Sequence, residues 1–244
     1  MKLLEQAIGP VRELVFLDLE GTQTSHETIA IGACSYICDE HLLPVKGKPI
    51  KIFKRFIRAS SKVGKVVSDL TGITEDTLVS QGIDFNRAIS ELIESTKIPG
   101  GKRKYITFGN QDIVMLKAST LKDTSGKAMA YYNHIRRNWF DFQDFVSRYV
   151  FDGRHVTYSQ PKLLQIFEAE DLKHAHDPLY DAENLKNLFI AVSTKPEILI
   201  EWFLKNVENS RHSGKILKPI VDRLLSGETI SPEKFSAFLK EYFG

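Results

Sequence analysis

The sequence predicts an α/β layered domain followed by an all-helical extension. Three observations carry this: neighbouring strand-like segments open the chain, helical and strand patterns alternate after Ser60, and everything beyond Val192 is helical in pattern. Leu14 to Leu19 is nearly continuous apolar, which suits a strand covered on both faces. Glu27 to Ile37 and Lys51 to Ile57 alternate apolar and polar around the turn-rich DEHLLPVKGKP, so an antiparallel meander of three strands is expected. In FNRAISELIEST the residues Phe85, Ala88, Ile89, Leu92 and Ile93 recur at helical spacing. They predict an amphipathic helix packed on the sheet, ended by the breaker IPGGK. KYITFG reads as a fourth strand, with Asn110 as the N-cap of a helix through Met115 and Leu116. WFDFQDF reads as a short edge strand or a helix, and PKLLQIFEAE as a helix. Asp177 at N-cap and Pro178 at N1 open a helix whose Leu185, Leu188, Phe189 and Val192 form one apolar stripe.

PEILIEWFLKN, GKILKPIVDRLLS and SPEKFSAFLKEYF then predict three further helices. The last has Ser231 as cap, Pro232 at N1 and a stripe of Phe235, Phe238, Leu239 and Tyr242. The expected organisation is a domain over 12–192 and a helical extension over 193–244. The amphipathic last helix fits either a homodimer or partner surface, or packing back on the domain.

Composition narrows the function classes. The 33 basic and 31 acidic side chains leave a formal net charge of +2, so any contact with a polyanion must come from local patches. Cys34 and Cys38 lack metal-ligand spacing or a disulfide framework, which favours a reducing, cytoplasmic setting. No signal-peptide pattern opens the chain and no window approaches ~18 uninterrupted apolar residues, so neither secretion nor a membrane partner is expected.

Chemistry is suggested by FLDLEGTQT. Alternate side chains of a strand share a face, so Phe16, Asp18 and Glu20 point one way. Two carboxylates on one face of a core strand repel unless a cation or several donors compensate, and a divalent metal is the simplest compensation. The plainer reading has Glu20 capping the strand end and Asp18 taking backbone donors. Downstream, Asp112 opens a helix on the face of Met115 and Leu116, and Asp181 lies four residues before Leu185 on a buried stripe. Each alone reads more readily as a helix-start carboxylate favoured by the macrodipole than as a catalytic group. Four acids at the ends of core elements are harder to dismiss together. His176, five residues before Asp181, is placed to serve as a general base. His174 and His176 as a transition-metal pair is the lesser reading, since four carboxylates suit hard cations. Asp177 is explained by capping and His174 by a surface position.

VFLDLEGT, YITFGNQDIVML and HDPLYDAENL, in this order, resemble the motifs of the DEDDh exonucleases. That RNase H-like group includes polymerase proofreading subunits, RNase T, oligoribonuclease and histone-mRNA-type exoribonucleases. The resemblance spans about residues 12–192. It implies a mixed five-stranded sheet flanked by helices, and 3′–5′ hydrolysis of a single-stranded RNA or DNA 3′ end to nucleoside 5′-monophosphates. It assigns Asp18, Glu20, Asp112 and Asp181 as ligands of two Mg²⁺ or Mn²⁺ ions ~3.5–4 Å apart, and His176 as general base. LTGITEDTL is similar to the family segment that packs on the terminal nucleotide, which implies substrate contacts at Leu70, Thr71 and Ile73, while the backbone near Gly21 and Thr22, next to the implied metal site, is expected to meet the same nucleotide. From the residues alone it is also a turn into a helix capped by Thr74. The FGNQD form is closer to the histone-mRNA-type branch and tilts the substrate toward RNA. Two departures stand out: Ala30 where many relatives have an acid, and Gln23 after EGT. A DNA-directed exonuclease and a non-catalytic nucleic-acid-binding module are the alternatives. YYNHIRRNWF offers cations and aromatics for a strand, or is a half-buried edge element. Lys102, Arg103 and Lys104 read as a solvated flank.

Overall fold

The computed structural model describes residues 1–97, 101–123, 125–152, 156–173, 176–209 and 214–243, and of these it leaves aside the side chains of 207–209, 214–216, 239 and 241–243. IPGGK in part, His174, and the side chains of Leu239 and Tyr242 therefore lie outside the described residues.

The expected meander forms as β1 (Glu13–Gly21), β2 (Thr28–Ile37) and β3 (Lys51–Phe56), each antiparallel to its neighbour. β4 (Arg103–Thr107) adds parallel to β1, and β5 (Trp139–Asp141) parallel to β4, for the order β3-β2-β1-β4-β5. Parallel neighbours need crossovers, and helices supply them. The first runs through α2 (Lys65–Thr71), α3 (Glu75–Gln81) and α4 (Phe85–Ser95), the second through α5 (Gln111–Thr120) and α6 (Lys127–Arg137). Val15, Leu17 and Leu19 project from one face of β1 into a core shared with Ala88, Ile89 and Leu92 of α4, Leu116 of α5 and Ile135 of α6. The opposite face is covered by α9 (Pro178–Thr194): Phe189 meets Phe16 edge-on at 5.3 Å, and the Cys34 thiol donates to the Ala182 carbonyl at 3.4 Å. Strand periodicity thus places Asp18 and Glu20 on the α9 side.

Local expectations were met in part. Thr74 caps α3 in a reciprocal pair with Thr77, and Asp177 caps α9 through the Leu179 N–H. Asn110 precedes α5, but its side chain makes no capping bond. WFDFQDF is both of its readings in succession, β5 followed by α7 (Phe142–Ser147). YYNHIRRNWF is not an edge element throughout: it ends α6 and only then enters β5, with the Arg136 guanidinium over the Trp139 ring at 4.9 Å. Arg103, expected in a solvated flank, is buried, facing Glu13 at 3.6 Å. An N-terminal helix, α1 (Lys2–Ile8), was not anticipated; it buries Leu4 and Ile8.

The chain divides into two compact units. The first comprises 1–144 and 160–194, with α8 (Gln160–Ile166) included. The second joins 145–159 to α10 (Pro196–Asn209), α11 (Gly214–Leu225) and α12 (Pro232–Phe243). In that second unit Tyr149 packs on Phe203 at 5.9 Å and Tyr158 on Trp202 at 5.6 Å. Among the described residues no helix is long and apolar enough to cross a membrane.

Candidate active site

Three elements, β1, α5 and α9, bring the four acids together. The ladder between β1 and β4 ends at Phe16, so the Leu19 N–H lies beyond it and takes another acceptor. That acceptor is Asp112 Oδ1 at 2.8 Å, from the first turn of α5. Because Leu19 separates Asp18 from Glu20, this one bond sets Asp112 beside both. A register shift follows between Glu20 and Gly21, where the strand stops pairing regularly.

Asp181 arrives from the other side. In the row Asp18–Gly32–Lys54, which crosses β1, β2 and β3, the middle residue has no side chain. The α9 N-terminus fills that gap: a Cβ at Gly32 would fall 2.0 Å from the Pro178 carbonyl carbon. Such close approach admits glycine alone. Asp181 accepts from the His176 N–H at 2.9 Å, and ligand atoms of Glu20, His176 and Asp181 all lie within 4.8 Å of one another. His176 itself is exposed and has φ +67°, a left-handed conformation that turns the chain into the α9 cap.

Electrostatics follow from this crowding. Burial, then the charges of Asp112, Asp181 and Glu20, hold the Asp18 carboxyl far above its usual range. Burial, then the charges of Asp181, Asp112 and Asp177, push Glu20 up to about 8. Asp112 rises to about 7, chiefly through burial, despite the bond from Leu19. Asp181 is also raised by burial. Among the described residues no lysine or arginine forms an ion pair with any of the four. A half-buried carboxylate cluster with no ion-paired lysine or arginine among the described residues is the donor set that hard divalent ions take.

The residues expected to meet substrate fare differently. Gly21 is buried at the end of β1, against Met115. Thr22 is buried too, its hydroxyl spent on Ser25 and on the Glu27 N–H within the turn that leads to β2. Leu70 is exposed on α2, whereas Thr71 bonds its own helix and Ile73 is a core residue packed with Ile29, Val63 and Leu78. Gln23, unexplained from the sequence, ties the end of β1 to α2. Its N–H donates to the Val63 carbonyl, its Oε1 accepts from Val66 N, and Gly64, at φ +88°, leaves room for it. Sequence reasoning also missed Gly32 and Lys54. The signal for Gly32 was available, a glycine inside an otherwise strand-like run.

No family model and no curated protein sequence matches the chain. Solved structures do. The nuclease domain of 3′hExo, a DEDDh family member, bound to rAMP, superposes with a TM-score of 0.57 at 17% identity, over 78% of this chain and 94% of that one. The fold is that of the DEDDh exonucleases. A 3′-exonuclease described for 3′-end specific recognition of the histone mRNA stem-loop shares it, with a TM-score of 0.54 at 15% identity over 78% of this chain and 83% of that one. So does cell-death related nuclease 4, CRN-4, with a TM-score of 0.54 at 16% identity over 78% and 65%. The DEDDh fold comprises the mixed sheet and flanking helices that hold the four acids here.

Proposed function

We propose that the protein is a metal-dependent 3′–5′ exonuclease of single-stranded nucleic acid, RNA in preference to DNA, that releases nucleoside 5′-monophosphates. The observation that carries this is the convergence of Asp18, Glu20, Asp112 and Asp181 without an ion-paired lysine or arginine among the described residues, with His176 alongside. In this reading residues 12–192 are the catalytic domain and 193–244 a helical extension. The four carboxylates would hold two Mg²⁺ or Mn²⁺ ions, which when bound supply Lewis acidity toward the attacking water and the departing 3′ oxygen.

The chain's own residues do the rest. His176, exposed at the rim, accepts the proton of the attacking water, while its backbone N–H keeps it tied to Asp181. In this reading Leu70, exposed on α2, presents an apolar surface to the terminal nucleoside, with Gly21, Thr22, Thr71 and Ile73 as the other expected contacts of that nucleotide. The RNA preference is drawn from the FGNQD motif and from the histone mRNA stem-loop named for one structural neighbour.

Competing 5′-labelled RNA and DNA oligonucleotides, incubated with and without Mn²⁺, test the reading. The expected result is a ladder shortening from the 3′ end, faster on RNA and absent in EDTA. Asp18→Ala should remain folded by circular dichroism and produce no ladder. His176→Ala should lower kcat by at least about 100-fold with KM little changed. Undiminished hydrolysis by Asp18→Ala in EDTA would overturn the proposal, and faster loss of the DNA would reverse the preference.

A further inference from the structure

Lys54 is the feature of the site that no motif accounts for. It belongs to the sheet's edge strand, yet its Nζ lies 2.5 Å from Asp177 Oδ2, a residue 123 positions later. Both side chains are about a third exposed, at 32% and 31%. A lysine on an edge strand commonly just keeps that edge soluble, and Lys54 also lies 5.5 Å from the Phe56 ring centroid. Its partner makes that account insufficient.

Asp177 divides its two oxygens. Oδ1 caps α9 through Leu179 N at 3.0 Å, and Oδ2 takes Lys54. The Asp177 carbonyl accepts from Asp181 N, and Asp181 Oδ2 from His176 N. His176, Asp177 and Asp181 are thus one hydrogen-bonded turn. It lies over the notch at Gly32, with Asp18 at one end of the strand row and Lys54 at the other. Lys54 ties that turn to the sheet on the side away from Asp18. It also offsets Asp177, whose charge otherwise adds to the repulsion on Asp18 and Glu20.

We propose that Lys54 is a positioning residue, which through Asp177 holds the His176 turn in register against Glu20 and Asp181. The role rests on the exonuclease reading, but its geometry does not. The predicted consequence is a split between kinetic constants. Lys54→Met keeps the length and removes the charge, and should lower kcat by about 10–100-fold, the loss expected of a misplaced catalytic group, with KM changed by less than about 3-fold. Lys54→Arg should recover most of the rate. Lys51→Met, on the same strand but without an acid partner at this turn, should do nothing. In the metal-free protein the His176 ring resonances, assigned by their loss in His176→Ala, should shift in Lys54→Met and Asp177→Asn but not in Lys51→Met.

Unchanged His176 resonances in Lys54→Met overturn the positioning role, as does equal loss of rate in Lys51→Met. If the wild-type protein hydrolyses neither RNA nor DNA, the exonuclease reading fails while the resonance measurement still decides on Lys54.

Discussion

At the scale of single residues, the acids of the cluster and Glu27 pull stability in opposite directions with pH. Glu20 keeps its proton in the folded protein to about 8 but loses it near 4.5 when unfolded, and Asp112 behaves alike with a folded value of about 7. Between those limits the folded state binds more protons, so its stability falls as pH rises. Glu27 is the reverse. Burial pushes it up, but hydrogen bonds from Ser61 and Ser60 outweigh that and bring it down to about 2. Its contribution is present above about 4.5 and is lost as pH falls through 2. The metal-free protein should therefore show a Tm that declines from pH 4.5 to 8, measured by calorimetry in EDTA. Added Mn²⁺ should raise Tm most at the upper end, where the carboxylates are ionised. A flat profile would show that the four acids do not face one another as described.

At the scale of elements, two close approaches set the site. One is α9 on β2 at Gly32, the other Gln23 against Gly64 and the start of α2. Gly32→Ala forces a methyl into the Pro178 backbone, which must move because neither strand nor helix can yield locally. The expected outcome is a fall of about 1–3 kcal/mol in unfolding free energy by urea titration, together with loss of Mn²⁺-induced stabilisation. A variant that keeps the Mn²⁺ effect would mean that α9 can shift without carrying Asp181 away. The meander, α4 and α9 were legible in the sequence, because each has a clear period or a strong cap. The division of WFDFQDF into strand and helix was not. Three residues of strand are too few to establish a period, and pairing with β4 decides them.

At the scale of the whole molecule, residues 145–159 group with the C-terminal helices although α8 and α9 intervene in the chain. Removing 195–244 should therefore do more than shorten the protein. Tyr149 and Tyr158 would lose Phe203 and Trp202, and Tm should fall by at least about 4 °C in a scanning measurement. An unchanged Tm would show that 145–159 holds its conformation without those helices.

The amino-acid sequence by itself determined which acids lie at the ends of core elements. Asp18 and Glu20 share a face through strand periodicity, Asp112 and Asp181 open helices on buried faces, and the order of the three motifs resembles one family. It also determined the fold class, since alternating patterns of period 2 and period 3.6 leave few ways to bury both. Only the tertiary structure decided what stands between those acids and around them. Asp112 reaches Leu19 because the β1–β4 ladder stops short, α9 settles on Gly32 because nothing projects there, and Lys54 finds Asp177 across 123 residues of chain. None of these partners has a local signature, Gly32 marking only its own bare position, because each is a contact between segments whose spacing in the sequence carries no information about their spacing in the fold.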